Sequence, residues 1–274
     1  MNYLAFTFTT LNSEQSEQLI ALLNEQNFDG FEENELELKA FIKENLFDEL
    51  IFKSIVQLFP ELTFTKSVIE NINWNQQWEN SFEPVVVDDF VAVRASFHQP
   101  ILSVQHQIII TPKMSFGTGH HATTFMMMKE MQAIDFKGKE VFDFGTGTAI
   151  LAILAEKLGA QKIFAIDNDE WSITNSKENI DQNNCTAIIV EEHSTIPITA
   201  LYDIILANIN LNVITDNIKA LKEVSKPVCT LLLSGFLKEN ENTLKTTVIE
   251  AGFQYSHSVQ KGQWIAMVIF NKLQ

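Results

Sequence analysis

The chain has 274 residues, of which 46% are hydrophobic, and this length favours two domains with ordinary cores. Its formal net charge is −16 and Arg94 is its only arginine. Such a surface repels phosphate backbones and has almost none of the arginine side chains best suited to bidentate contacts with phosphate and guanine. Direct binding to nucleic acid is therefore not expected, whereas a basic protein partner fits the charge. The alternative is that the negative charge is a general property of the chain and is not adapted to a basic partner.

Cysteine content and hydropathy bear on the compartment. Cys185 and Cys229 are the only cysteines and form no CxxC motif, which excludes a disulfide framework and a cysteine zinc site. The sequence has no run of about 18 uncharged apolar residues and no basic segment leading into an apolar one at its N-terminus. We expect a cytoplasmic protein that does not bind membranes.

Residues 1–70 alternate strand-like and helix-like patterns in the order βαββαβ, with Ser13 as a candidate N-cap of the first helix. This order predicts a small α+β domain of the ferredoxin-like type. Residues 1–60 carry eleven Asp and Glu against three Lys, a net charge of −8. We therefore expect residues 1–70 to form a substrate-recognition domain that docks a basic partner.

Residues 71–104 are interpreted as a linker helix and connector. Trp74 and Trp78 lie four positions apart and so share one face of the predicted helix. Aromatic pairs at this spacing usually serve burial, so packing is favoured over ligand stacking.

Residues 105–274 alternate apolar strands with helices of ten or more residues. This pattern predicts a mostly parallel α/β sheet covered on both faces, closed by two strands that pair as a hairpin around Lys261 and Gly262. Such a sheet binds ligands beyond the carboxyl ends of its strands, at the point where the strand order reverses. We expect residues 105–274 to be the catalytic domain.

The stretch "DFGTGTA", residues 143–149, reads as a strand followed by a glycine turn and a helix. Gly145 and Gly147 permit positive φ and close approach of a nucleotide-type ligand to the helix N-terminus. The spacing is not G-x-G-x-x-G, and Asp143 before the turn is suited to a cationic amino group, which points away from NAD.

Two strand-ending residues complete the candidate site. Asp167 lies 22 residues after Gly145, at the distance at which an acid accepts hydrogen bonds from ribose hydroxyls; a helix cap is the alternative. Asn208 ends a later strand, and its uncharged amide can orient a nucleophilic nitrogen; a turn asparagine is the alternative. The Asn-Pro-Pro-Tyr sequence that grips a planar amide or base is missing here.

The segment "MSFGTGHHATT", residues 114–124, together with the glycine turn, the "LANI" strand end and the acidic N-terminal domain, resembles the bacterial ribosomal-protein methyltransferases called PrmA. The resemblance implies a Rossmann-like class I methyltransferase sheet, S-adenosyl-L-methionine as cofactor, and the eleventh protein of the large ribosomal subunit as substrate. It also implies that Thr124, Gly145, Asp167 and Asn208 contact the cofactor, and that Ala149 replaces the third glycine of the first motif.

From its residues, segment 111–124 reads as a lid. Gly117 and Gly119 supply bends, Phe116 can shield a reaction site, and Thr123 or Thr124 can cap the following helix. The adjacent histidines at 120 and 121 have no third ligand at zinc-like spacing, so no metal site is expected. Whether either of them acts as a general base is left open.

The most favoured function is S-adenosylmethionine-dependent methylation of lysine ε-amino and N-terminal α-amino groups of the ribosomal protein, with no dedicated catalytic base assigned. One alternative is a methyltransferase of the same fold acting on a glutamine amide, another protein or a small molecule. Another is a noncatalytic ribosome-assembly module that retains the cofactor fold. Which lysines are modified, how many methyls each receives and the oligomeric state are not encoded in any recognisable pattern.

Overall fold

The structure is a computed structural model and describes residues 2–9, 12–34, 37–69, 83–111 and 121–271. The chain divides into two compact units, Met1–Phe82 and Glu83–Gln274. The predicted linker helix with Trp74 and Trp78 lies outside the described residues, as do Phe116, Gly117, Gly119 and His120 of the predicted lid.

The first unit is an antiparallel sheet with two helices, in the strand order β2-β3-β1-β4. Its elements, in chain order, are β1 (Tyr3–Thr9), α1 (Ser13–Asn24), β2 (Gly30–Glu33), β3 (Glu37–Lys43), α2 (Glu49–Val56) and β4 (Thr63–Ile69). This is the βαββαβ order and the ferredoxin-like topology that the sequence predicts.

Alternation along β1 explains how this sheet buries one face. Leu4, Phe6 and Phe8 share one face and are buried, as a strand with one covered face requires; on the other face the small Ala5 is also buried. Phe6 lies 4.4 Å from Phe52 of α2 between ring centroids, so the strand and the helix share an aromatic core. The predicted cap of α1 is wrong by one residue: Asn12 is the N-cap, and its side chain accepts a hydrogen bond from the backbone N–H of residue 15.

The second unit contains a seven-stranded sheet in the order β10-β9-β8-β11-β12-β14-β13 and a three-stranded sheet in the order β5-β6-β7. The strands, in chain order, are β5 (Val85–Val87), β6 (Val91–Ala95), β7 (His106–Ile110), β8 (Glu140–Phe144), β9 (Lys162–Asp167), β10 (Ile188–Glu192), β11 (Tyr202–Asn208), β12 (Ser225–Leu237), β13 (Gln254–Lys261) and β14 (Trp264–Asn271). The helices are α3 (Ala122–Met131), α4 (Ile150–Lys157), α5 (Glu170–Gln182), α6 (Leu211–Glu223) and α7 (Glu241–Glu250).

Five strands of the large sheet, from β10 to β12, are parallel, and β14 runs antiparallel between β12 and β13. The parallel strands are apolar runs because helices cover both faces; Phe142, Ile205 and Leu232 are completely buried. The predicted closing hairpin is confirmed, with Lys261 paired to Trp264 across the turn. This is the Rossmann-like α/β sheet that the sequence predicts.

Strands β5 and β6 were not recognised in the sequence, where residues 71–104 were interpreted as a connector. β6 is the middle strand of the small sheet and pairs antiparallel with β5 and parallel with β7. Arg94 of β6 is 8% exposed and donates to the Gln107 side chain and to the Ala95 and His98 carbonyls, over 2.9–3.1 Å. The only arginine of the chain therefore serves the fold rather than a ligand-binding surface.

The topology places a cleft at the centre of the large sheet. From β8 the chain proceeds to β9 and β10 on one side and then returns to β11 on the other side. The carboxyl ends of β8 and β11 lie next to each other at this reversal, where helices leave the sheet in opposite directions.

Candidate active site

A cavity of about 850 Å³ opens at the carboxyl ends of β8, β9 and β11. Its lining includes all five residues that the sequence predicts for cofactor binding: Thr124, Gly145, Gly147, Asp167 and Asn208. They come from four separate elements, so the fold brings together residues that are up to 84 positions apart. A volume of this size lies within the range of small-molecule and cofactor sites.

The glycine turn is fixed against the end of β9. Gly145 and Gly147 have φ values of 76° and 56°, a region that side chains rarely adopt. The backbone N–H groups of Gly145 and Thr146 both donate to the Ile166 carbonyl at 2.9 Å. The turn therefore presents its remaining backbone to the cavity in one defined conformation.

Asp167 braces this turn from β9. Its Oδ2 accepts the Gly147 N–H at 2.9 Å, and its Oδ1 accepts the Asp169 N–H at 3.1 Å. Asp167 is not a helix cap, since the N-cap of α5 is Asp169, whose Oδ2 accepts the Ser172 N–H at 2.8 Å. A carboxylate has about four acceptor sites, so two hydrogen bonds leave Asp167 able to accept further donors from a ligand.

Asp143 does not line the cavity, contrary to the expectation that it holds a cationic amino group. The residue is 1% exposed and lies behind the turn, where its Oδ2 accepts the Thr146 hydroxyl at 2.6 Å. Burial is the main cause that raises the pKa of Asp143, to about 7, and the nearby Asp167 charge raises it further. Asp143 therefore supports the turn instead of contacting a ligand.

Asn208 and Thr124 form a direct pair on the other wall. The Asn208 Nδ2 donates to the Thr124 Oγ1 over 3.1 Å. Thr124 is 3% exposed within α3, while Asn208 ends β11. This bond fixes the orientation of the Asn208 amide. Its oxygen, Oδ1, can then accept a hydrogen bond from a ligand.

The turn after Asn208 depends on two glycines, one of which the sequence analysis missed. Gly235 lies in a bulge of β12 with a φ of 99°, and a Cβ there would stand 2.1 Å from the Ile209 carbonyl oxygen. A Cβ on Gly145 would stand 2.2 Å from the Ile209 Cγ2. Ile209 thus fits between two positions that lack side chains, and an isolated glycine inside an apolar strand was the available signal for Gly235.

An aromatic pair completes this wall, and the sequence analysis singled out only one of its members. The His121 ring packs edge-on against Trp264, with centroids 4.5 Å apart and planes at 72°. His121 is also the N-cap of α3, and its Nδ1 lies 2.7 Å from the Thr123 hydroxyl. The expectation that Thr123 or Thr124 caps this helix is therefore wrong, since both lie inside its first turn.

The described lining residues carry no lysine or arginine, and their formal negative charges are Asp167 and Asp216. A neutral-to-acidic cavity with an apolar component suits a ligand that has hydroxyl donors, a flat ring system and a positive charge. Within the described ranges, no group of three or more His, Cys, Asp or Glu side chains is placed to hold a metal ion. Likewise, no helix in that part of the chain is both long and apolar enough to cross a membrane.

Comparison with known proteins agrees with this geometry. The sequence profile of the ribosomal protein L11 methyltransferase family (PrmA) matches residues 4–272. A protein named ribosomal protein L11 methyltransferase from Phocaeicola vulgatus is 36% identical over 281 residues, covering 99% of this chain and 100% of that protein. A protein of the same name from Porphyromonas gingivalis is 36% identical over 281 residues, covering 97% of each chain.

Solved structures show the same relationship. The crystal structure of ribosomal protein L11 methylase from Lactobacillus delbrueckii subsp. bulgaricus superposes with a TM-score of 0.65 at 28% identity, covering 70% of this chain and 100% of that one. A methyltransferase from Pyrococcus furiosus shares the fold at a TM-score of 0.52 and 18% identity, covering 61% and 90%. The chain is an S-adenosylmethionine-dependent methyltransferase and belongs to the ribosomal protein L11 methyltransferase (PrmA) family.

Proposed function

We propose that this enzyme methylates amino groups of ribosomal protein L11, both lysine ε-amino and N-terminal α-amino groups, and that it does so in the cytoplasm. The observation that carries the proposal is the Asn208–Thr124 hydrogen bond of 3.1 Å, which fixes an uncharged amide in the same cavity as the glycine turn. A fixed acceptor suits a nucleophilic nitrogen that must be oriented and kept neutral.

The cavity fits S-adenosylmethionine through the chemistry of its lining. Asp167 would accept hydrogen bonds from the ribose hydroxyls, and the backbone at Gly145 and Gly147 would contact the ligand next to the helix N-terminus. Thr124 and Asn208 would lie toward the reacting end. When bound, S-adenosylmethionine supplies an electrophilic methyl group on a positively charged sulfur, whose departure as a thioether requires no acid.

The residues of the chain then have to position a neutral amine. Free lysine has a pKa of about 10.4, and transfer into a water-poor cavity beside a positive charge lowers that pKa. The Asn208 Oδ1 would accept one N–H of the amine and so aim the nitrogen lone pair. Alignment of this kind is worth up to about 7–11 kcal/mol in favourable cases, so no dedicated base is required.

Substrate recognition is assigned to residues 1–70. Eleven acidic side chains against three lysines over residues 1–60 attract a lysine-rich protein surface and repel RNA. The proposal therefore includes no direct contact with nucleic acid and no membrane partner. The apparent KM for the ribosomal protein should rise with salt, since the Debye length falls from about 10 Å at 0.1 M to about 3 Å at 1 M. A KM that is unaffected by salt would argue against electrostatic recognition.

The test of the function is mass spectrometry of purified L11 after incubation with the enzyme and isotope-labelled S-adenosylmethionine. We expect label on lysine side chains and on the N-terminal amine, and much less label with Asn208→Ala, which lacks the amide proposed to orient the amine. Label on a glutamine side chain would instead support an amide methyltransferase. Binding of the cofactor without any transfer to L11 would support a noncatalytic module or another substrate.

A further inference from the structure

A completely buried asparagine on α5 connects the glycine turn to the end of β7. The Asn179 Nδ2 donates to the Thr148 carbonyl at 2.9 Å, and its Oδ1 accepts the Thr111 N–H at 2.8 Å. Asn179 has 0% exposure and does not line the cavity. One side chain thereby satisfies backbone groups of two segments that lie far apart in the sequence.

The backbone that Asn179 holds is the part of the glycine turn that needs support. Ala149 follows Thr148 and adopts the left-handed conformation, with φ 61° and ψ 17°, immediately before α4. This conformation is disfavoured for a residue with a Cβ, whereas glycine adopts it freely. Ala149 is fully buried and its N–H donates to the Thr146 carbonyl at 2.9 Å, while the carbonyl of the same peptide, on Thr148, accepts the hydrogen bond from Asn179.

A second asparagine, at the C-cap of the same helix, provides an internal comparison. Asn183 lies one turn beyond Asn179; its Nδ2 donates to the Ile109 carbonyl at 2.6 Å and its Oδ1 accepts the Ile109 N–H at 3.0 Å. Asn183 thus holds β7 against the end of α5, and its Nδ2 also donates to the Asn179 carbonyl at 2.8 Å. Both side chains attach to the β7 segment; Asn179 is completely buried and bonds to Thr148, whereas Asn183 is half-buried and bonds to the carbonyl of Asn179 instead.

We propose that Asn179 is a positioning residue of the cofactor site, which holds the Thr148–Ala149 peptide in the left-handed turn that the third glycine of such motifs would adopt unaided. The inference rests on the proposed binding of S-adenosylmethionine at this turn. The hydrogen bond from Asn179 offsets the conformational cost of Ala149, so the turn is already formed before the cofactor binds. Coupling between positions 179 and 149 is the signature that distinguishes this role from ordinary core packing.

The test is a double-mutant cycle on the full-length protein, with the Kd for S-adenosylmethionine measured by isothermal titration calorimetry. Asn179→Ala should raise the Kd at least about tenfold, because it removes the hydrogen bond that offsets the cost of the left-handed conformation at Ala149. Adding Ala149→Gly should recover most of that loss. Asn183→Ala should change the Kd less than about threefold, and Ala149→Gly should bring no comparable recovery in that background.

Several outcomes would overturn the inference. Asn179→Ala could bind as tightly as the wild type, or Ala149→Gly could change the Kd equally in the Asn179→Ala and Asn183→Ala backgrounds. If Asn179→Ala unfolds and the double variant unfolds as well, Asn179 belongs to the core and not to the turn. Failure of the wild type to bind S-adenosylmethionine would instead contradict the proposed function. The wild-type measurement therefore separates failure of the proposed function from failure of the inference about Asn179.

Discussion

The two walls of the cavity are built in different ways. The glycine-turn wall consists of backbone groups braced by Asp167 and supported from behind by Asp143, all within about 25 residues of sequence. The Asn208 wall consists of side chains that meet from distant elements: Asn208 from β11, Thr124 from α3 and Trp264 from the closing hairpin. The glycine-turn wall suits the cofactor, which many enzymes share. The Asn208 wall suits the amino group of a particular substrate.

This difference separates the expected effects of mutation. Damage to the glycine-turn wall should appear in the Kd for the cofactor, since that wall would hold the nucleoside in the ground state and in the transition state alike. Damage to the Asn208 wall should appear in kcat, because aiming the amine matters only for the transfer step.

Gly235→Ala should have the largest effect on turnover. The new Cβ would stand 2.1 Å from the Ile209 carbonyl oxygen, so the whole turn that carries Asn208 has to move. A displacement near 1 Å costs about 100-fold in rate, and the positive φ alone costs about 1–2 kcal/mol of stability. Steady-state kinetics with L11 and thermal unfolding measure both.

The matched control is Gly138→Ala. Gly138 also has a positive φ, 69°, but an added Cβ meets nothing within 4 Å. It should lose stability and retain turnover. Equal loss of turnover in both variants would show that the effect is general destabilisation and not displacement of the Asn208 turn.

Asn208→Ala should reduce kcat by up to about 100-fold and leave the Kd for the cofactor within about threefold of wild type. The substitution removes the acceptor for the amine while keeping the turn in place. Asn212→Ala, an exposed asparagine on α6 that does not line the cavity, is the control. A variant whose Kd rose as steeply as its kcat fell would place Asn208 in the binding wall.

Asp167→Ala should raise the Kd for S-adenosylmethionine at least about tenfold, since hydrogen bonds to a charged acceptor contribute about 1.5–3 kcal/mol each. It also removes the brace on Gly147, which adds to the loss. Asp169→Ala, two residues away, removes only the cap of α5 and should cost about 1 kcal/mol of stability without weakening binding. Unchanged affinity in folded Asp167→Ala would remove Asp167 from the ribose site.

Asp143→Asn should have the smallest effect on activity and a clear effect on the pH dependence of stability. Burial raises the pKa of Asp143 from 3.8 to about 7, so between these values the folded protein keeps a proton that the unfolded chain has lost. The free energy of unfolding attributable to Asp143 therefore falls as pH rises from about 4 to 7, by a few kcal/mol at about 1.4 kcal/mol per unit.

An asparagine at this position can still accept the Thr146 hydroxyl, but it carries no charge. The variant should therefore gain stability relative to wild type across that pH window, as measured by denaturant unfolding at several pH values. If the free energy of unfolding had the same pH dependence in both proteins, the Asp143 carboxyl would not titrate in this pH window.

The contrast between the walls also explains what the sequence could predict. Gly145, Gly147 and Asp167 belong to a strand–turn–helix–strand unit whose spacing is fixed by local geometry, so their grouping follows from the sequence alone. Asn208 and Thr124 were both predicted as site residues, but their direct bond depends on how α3 packs against β11. Strands β5 and β6 were missed because they are short and lack a clear alternation, and Asp143 was misplaced because its burial is a tertiary property.

Gly235 and Trp264 show the limit most clearly. Nothing in the neighbouring sequence links Gly235 to Ile209, since their contact arises from parallel pairing of β11 and β12 and a bulge at the strand end. Trp264 reaches the cavity because β14 inserts between β12 and β13, which reverses the strand order at that edge. Long-range topology of this kind leaves only weak local signals.

The most direct test of the division between the walls is the single-turnover rate of methyl transfer to L11 at saturating S-adenosylmethionine, compared between Asp167→Ala and Asn208→Ala. Saturation should restore the rate of Asp167→Ala to within a few fold of wild type, while Asn208→Ala should stay about 100-fold slower at every cofactor concentration. The reverse pattern, in which saturating cofactor rescues Asn208→Ala and leaves Asp167→Ala slow, would contradict the assignment of cofactor binding and amine orientation to separate walls.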